Sequence, residues 1–124
     1  MKATTTDKID LNGYKTRKEV LEKLIRQINK DLELRVDIEW DVDGNNLYQA
    51  ILDKLAPVIE RLIRQGNGRV EQLLYKIDVS EMKVKEAIDS AVETDPAIIF
   101  THLILERELQ KVVFRMMYGK SISK

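Results

Sequence analysis

Asp95-Pro96-Ala97-Ile98-Ile99-Phe100-Thr101-His102-Leu103-Ile104-Leu105-Glu106-Arg107-Glu108-Leu109-Gln110-Lys111-Val112-Val113-Phe114-Arg115-Met116-Met117-Tyr118-Gly119 is the stretch on which the fold turns. It reads as one long helix whose first half is apolar on nearly every side, and such a helix must be wrapped by other elements. Asp95 is placed to accept from the free N–H groups of the first turn, and its charge suits the positive end of the dipole. Pro96 fits the first helical position, where its missing N–H costs nothing. Gly119 is placed to close the helix in the left-handed conformation, with Lys111 and Arg115 near the negative end. Ile98, Leu105, Leu109, Val112 and Met116 repeat at helical spacing, and Ile99, Leu103, Val113 and Met117 widen the stripe. Phe100, Ile104 and Phe114 fall outside it, so more than one surface needs cover. At the far end, Phe114, Met116, Met117 and Tyr118 form a methionine and aromatic cluster of the kind that serves adaptable binding surfaces.

Working outward, four more helical stretches supply that cover. Thr16-Arg17-Lys18-Glu19 has the spacing of a capping box, and Val20, Leu21, Leu24, Ile25, Ile28 and Leu32 follow at helical period, giving a helix over 17–32. Leu47, Tyr48, Ile51, Leu52, Leu55, Ile59, Leu62 and Ile63 keep one face across Pro57. The unbroken stripe predicts a single helix over 46–65, kinked at the proline, with Asn46 as its cap, the alternative being two helices that meet at Pro57. Gly66-Asn67-Gly68 is the clearest break in the chain. Val70, Leu73, Leu74 and Ile77 predict a short helix over 69–77. Ser80 caps another over 81–92, with Val84, Ala87, Ile88 and Ala91 turned inward.

One stretch changes period. Leu34, Val36, Ile38, Trp40 and Val42 alternate with Arg35, Asp37, Glu39, Asp41 and Asp43, which puts every apolar group on one side of a strand. A strand needs a neighbour. Ile9–Leu11 is one candidate, ahead of the Asn12-Gly13 turn. The same strand from a second copy, across a two-fold axis, is the other. The expected fold is therefore mainly α: about five helices around the C-terminal one, with a short β ribbon near 33–43. Residues 1–15 are expected as a loose N-terminal segment and 16–124 as a single helical domain.

Composition narrows the function. The 124 residues carry 21 basic and 21 acidic side chains. A net charge of zero removes the simplest electrostatic argument for nucleic acid or an anionic membrane as partner. Cysteine is absent, which excludes thiol chemistry and disulfides. No apolar run is long enough to span a bilayer and no signal-peptide core opens the chain, so a cytoplasmic location is expected. The charges are segregated: 33–53 carries one base against six acids, and 81–96 two against five. Residues 1–32 carry eight bases against five acids, and 97–124 five against two. Blocks of this kind favour pairing of opposite faces.

Four constellations bear on chemistry. Glu39, Asp41 and Asp43 ahead of Gly44 have the opening spacing of a calcium loop, but the twelfth position falls on Ala50, which has no ligand atom. His102, the single histidine, lies one turn from Glu106 and offers half a metal site without further ligands in register. No serine stands in a nucleophile elbow, and Gly66-Asn67-Gly68 lacks the lysine and preceding strand of a phosphate loop. The stretch Leu74 to Ile88 resembles the helix-turn-helix pattern in its Val79-Ser80 turn and in Val84 and Ile88. It departs from it at Asp78, where glycine is usual, and at Leu74, where a small residue is usual. The reading helix that this resemblance implies would set Lys83 and Lys85 against Glu81, Glu86, Asp89 and Glu93, a charge balance that phosphates repel.

The function expected from these residues is that of a small non-enzymatic interaction or regulatory protein that self-associates, without a cofactor or metal. Trp40, Phe114, Met117 and Tyr118 are its expected contact residues, tryptophan being a frequent interface anchor. The partner is a second copy or another protein, with a helix-turn-helix DNA binder as the alternative.

Overall fold

The computed structural model describes residues 11–34, 44–92 and 95–122. The described chain is mainly helical: a 3-10 turn at Asn12–Tyr14, then α1 (Lys18–Leu32), α2 (Gly44–Gln65), α3 (Arg69–Lys76), α4 (Glu81–Ser90) and α5 (Pro96–Ile122). It divides into two compact units, Met1–Tyr48 with Glu108–Lys124, and Gln49–Arg107. No described helix is long and apolar enough to cross a membrane.

In the first unit, Leu11, Val20, Leu21, Leu24, Ile25 and Ile28 are buried together with Leu47 and with Leu109, Val112 and Val113 of α5. Polar side chains along the seam report the direction of the helices. Lys111 reaches Asp31 and Arg115 donates to Gln27, at 2.9 and 3.0 Å. Residue numbers that rise by four on α5 fall by four on α1, so these two stretches run antiparallel, turn against turn. Lys15 lies 5.0 Å from the centre of the Tyr48 ring, which ties the segment before α1 to the first turns of α2.

The start of α1 departs from the expected capping box. The helix begins at Lys18, Arg17 holds the cap position with extended backbone, and no side chain caps it. Glu19 is engaged instead by Arg17, at 2.9 Å. With Arg17 at the cap, Thr16 lies before the helix and Glu19 falls at the second helical position instead of the third, out of register for the box. At the other end, Glu33 takes the left-handed conformation (φ 55°, ψ 47°), and the N–H groups of Glu33 and Leu34 both turn back to the Asn29 carbonyl. This is the hydrogen bonding of a Schellman-type stop built without glycine.

The expected ribbon near 33–43 is corrected where it can be seen. Glu33 closes a helix instead of opening a strand, and no strand occurs among the described residues. Residues 35–43 lie outside the described residues, Trp40 and the calcium-like acids Glu39, Asp41 and Asp43 with them. Leu11, offered as the end of a pairing strand, has helical backbone angles leading into the 3-10 turn.

In the second unit, Ile51, Leu52, Leu55 and Ile59 of α2 are buried, as are Val70, Leu74 and Ile77 at α3 and Ala97, Leu103, Ile104 and Leu105 of α5. Pro57 sits inside α2 without ending it, as the continuous stripe predicts. Gly66, Asn67 and Gly68 follow with φ of 69°, 59° and 70°. Three left-handed residues in a row reverse the winding of the backbone, and glycine at two of them makes that affordable. The Gly66 N–H still bonds to Ile63 and the Arg69 N–H to Gly66, so the reversal keeps its hydrogen bonds.

α3 ends in a second stop, with Asp78 at φ 70° and the Val79 N–H bonded to the Leu74 carbonyl at 2.8 Å. Asp78 thus adopts the backbone conformation that glycine usually supplies. Arg107 of α5 donates to the Ile77 carbonyl at 3.0 Å, covering an orphan acceptor at the same helix end. Ser80 accepts from the Lys83 N–H at 3.1 Å, the cap expected for α4. α4 stops at Ser90, two residues before its expected end, and none of its residues is buried. Ile88, expected inward, is half exposed.

α5 begins as expected: Asp95 Oδ1 accepts from the Ala97 N–H at 3.0 Å. It does not stop at Gly119. The helix runs on to Ile122, and Gly119 is an interior residue whose missing Cβ leaves room for the Arg115 side chain, 3.2 Å away from where it would stand.

Candidate partner-binding groove

The surface feature best suited to a partner lies in the second unit. Leu74 and Tyr75 of α3, Val79 in the turn, Val84 and Ile88 of α4 and Phe100 of α5 line an open apolar groove of about 690 Å³. The groove exists because α4 is lightly seated. Its Val84 and Ala87 are half-buried and Ile88 is exposed, so α4 stands beside α3 without closing over it. Tyr75 is 85% exposed and Ile88 51% exposed. Two large apolar groups left in water, one on each wall, mark a surface fit for contact.

The polar groups on the rim are mostly of one sign. Among the described residues, Glu71, Asp78, Glu81 and Asp89 line the groove, against Lys85 as its cation. Asp78 owes its place on the rim to the left-handed stop of α3, which turns the chain there. The arrangement is an apolar floor under a negative rim.

The first unit has a groove of opposite character. Lys23, Arg26 and Lys30 of α1 and Arg115 of α5 surround Val112 and Met116 in a space of about 650 Å³, with no acid among the described residues of its lining. Beside it, the seam between α1 and α5 buries a charged cluster. Glu108 is fully buried. Lys111 Nζ stands 3.1 Å from its Oε2 and 2.9 Å from Asp31 Oδ2. Burial, then the hydrogen bond with Asp31, pushes the Glu108 carboxyl up to about 8. Burial also works to raise Asp31, but hydrogen bonds from Gln27, Glu108 and Lys111 outweigh it and hold its carboxyl down at about 2. The chemistry is coherent. Two ionised carboxylates would offer each other only acceptors, and neither Glu108 oxygen is met by a well-aligned donor. A protonated Glu108 becomes a donor to Asp31, whose charge Lys111 and Gln27 then satisfy.

The residues singled out from sequence divide between these places and others. Phe114 and Tyr118 stack at 4.7 Å with their planes tilted by 47°. Phe114 is 37% exposed and Met117 48% exposed, in the first unit. Trp40 lies outside the described residues. His102 and Glu106 are both exposed on α5 and form no ion pair with each other. Among the described residues, no group of three metal-ligating side chains gathers. Lys83 and Lys85 are exposed on α4 among Glu81, Glu86 and Asp89.

Sequence reasoning missed the groove and the buried acid. The groove had a faint signal: Tyr75 stands apart from the Val70, Leu74, Ile77 stripe and had no assigned neighbour. The buried acid had a clearer one, since Glu108 interrupts a run whose neighbours one turn away, Ile104 and Val112, are apolar.

Compared with protein-family models, curated proteins and solved structures, the chain matches none of them.

Proposed function

We propose that the chain is a non-enzymatic interaction or regulatory protein of the cytoplasm that self-associates, with the groove between α3 and α4 as its docking surface. The observation that carries this reading is the exposure of Tyr75 and Ile88 on the two walls of one apolar groove. Leaving such groups in water forgoes burial free energy of about 25 cal/mol per Å², and a partner recovers it. The acidic rim supports a protein partner over nucleic acid. Glu81, Glu86 and Asp89 outnumber Lys83 and Lys85 on α4, and phosphates would be repelled from the helix that the helix-turn-helix resemblance assigns to DNA.

The test is the mass of the chain in solution across a range of concentrations, for the wild type and for Tyr75→Glu. Mass should rise with concentration in the wild type and stay at one chain in the variant, whose helical circular dichroism should be unchanged because position 75 faces water. A wild type that stays a single chain at the highest concentration reached would end this reading.

A further inference from the structure

We infer that the groove of one copy receives the C-terminal end of α5 from a second copy, so that self-association is head-to-tail. The inference rests on the reading that the groove is a docking surface, and adds the identity of what docks. Phe114, Met117 and Tyr118 stand three and four residues apart and therefore share a face of α5. Phe114 and Met117 are exposed, and the Phe114 ring packs on Tyr118 at 4.7 Å, which makes a stiff apolar projection. A ridge of two rings and a thioether is chemically suited to an apolar groove and adaptable within it.

Charge points to the same pairing. After Glu108 the sequence carries Arg115, Lys120 and Lys124 and no acid, Lys111 being held in the seam by Asp31 and Glu108. The groove carries Glu71, Asp78, Glu81 and Asp89 against Lys85. Ridge and groove are thus both apolar, and the segments that carry them are opposite in sign, whereas groove against groove would set acid on acid, and ridge against ridge base near base. A contact between two different surfaces leaves one of each free after every addition. Growth therefore continues past two chains unless a ring closes.

Two surface variants separate this geometry from its rivals. Ile88→Glu spoils the groove and keeps the ridge, and Met117→Glu does the reverse. Each should remain a single chain alone, with helical circular dichroism like that of the wild type. Mixed in equal amounts, they should form a one-to-one pair that grows no further, because the intact groove of one meets the intact ridge of the other. The wild type should reach two chains where each copy fills the other's groove, and more where that ring does not close. Glu81→Lys should weaken wild-type association about tenfold, and added salt should weaken it too. A mixture that stays monomeric while the wild type associates and Ile88→Glu does not would overturn the head-to-tail contact and leave the groove as a docking surface for something else. Self-association of Ile88→Glu alone at wild-type strength would exclude the groove from the contact. A monomeric wild type would remove both readings.

Discussion

Glu108 shows how a single side chain sets a pH dependence. Its carboxyl titrates near 8 in the folded chain and near 4.5 as an ordinary glutamate. Below pH 4.5 both states are protonated and folding loses nothing. Between there and pH 8 the unfolded chain ionises freely while the folded chain holds its proton, so stability falls as pH rises. Asp31 acts in the other direction and lower on the scale: its contribution, present above about 3.8, is lost as pH falls toward 2. Glu108→Gln keeps the shape and a donor while removing the ionisation. Thermal melts should show the wild type losing stability between pH 5 and 8, on the order of a few kcal/mol, while the glutamine variant stays nearly level and is the more stable protein at pH 8. An equal slope in both would mean that Glu108 is not the titrating group. Gly119 makes a second point at this scale. Glycine to alanine inside a helix ordinarily gains about 1 kcal/mol. Here the new methyl would press on Arg115, whose guanidinium is held by Gln27, so Gly119→Ala should gain less than that, measured by urea unfolding.

The helices follow from local chemistry to unequal degrees. α5 begins where Asp95 and Pro96 say it should, α4 begins at Ser80, and α2 passes through Pro57 because its apolar stripe does. These were legible because a cap or a stripe is a property of a few neighbouring residues. The errors came where a longer-range interaction or a rival local one took over. Thr16 and Glu19 had the spacing of a box, but the helix starts one residue later, at Lys18, and leaves both out of register. Gly119 had the look of a stop, but the backbone stayed helical to Ile122. Glu33 and Asp78 went the opposite way, taking left-handed angles that the residue type did not advertise. An L-residue pays about 1 kcal/mol or more for that conformation. Glu33→Gly should therefore raise stability by about 0.5–1 kcal/mol, seen as a higher urea midpoint at unchanged slope. Ser80→Ala should lower it by about 1 kcal/mol and loosen α4 before any other helix.

At the scale of the whole chain, a net charge of zero conceals its organisation. The acids of 81–96 and the bases that follow Glu108 are separated in sequence by a largely apolar stretch, and the association argued above depends on that separation. Segregation could be read from the sequence, and the presence of helices with it. The groove could not, because it depends on how far α4 stands off its neighbours, which no residue of α4 encodes by itself. Association should be strongest at low salt and fall as the Debye length shortens, a trend that an entirely apolar contact would not show. α4 places none of its own residues in the interior, so one bank of the groove rests on the least anchored helix of its unit. A bank so lightly held should yield to what enters it. The groove should then act less as a mould than as a hand, the amides of residues 81–90 exchanging their hydrogens more slowly with a guest in place than without one.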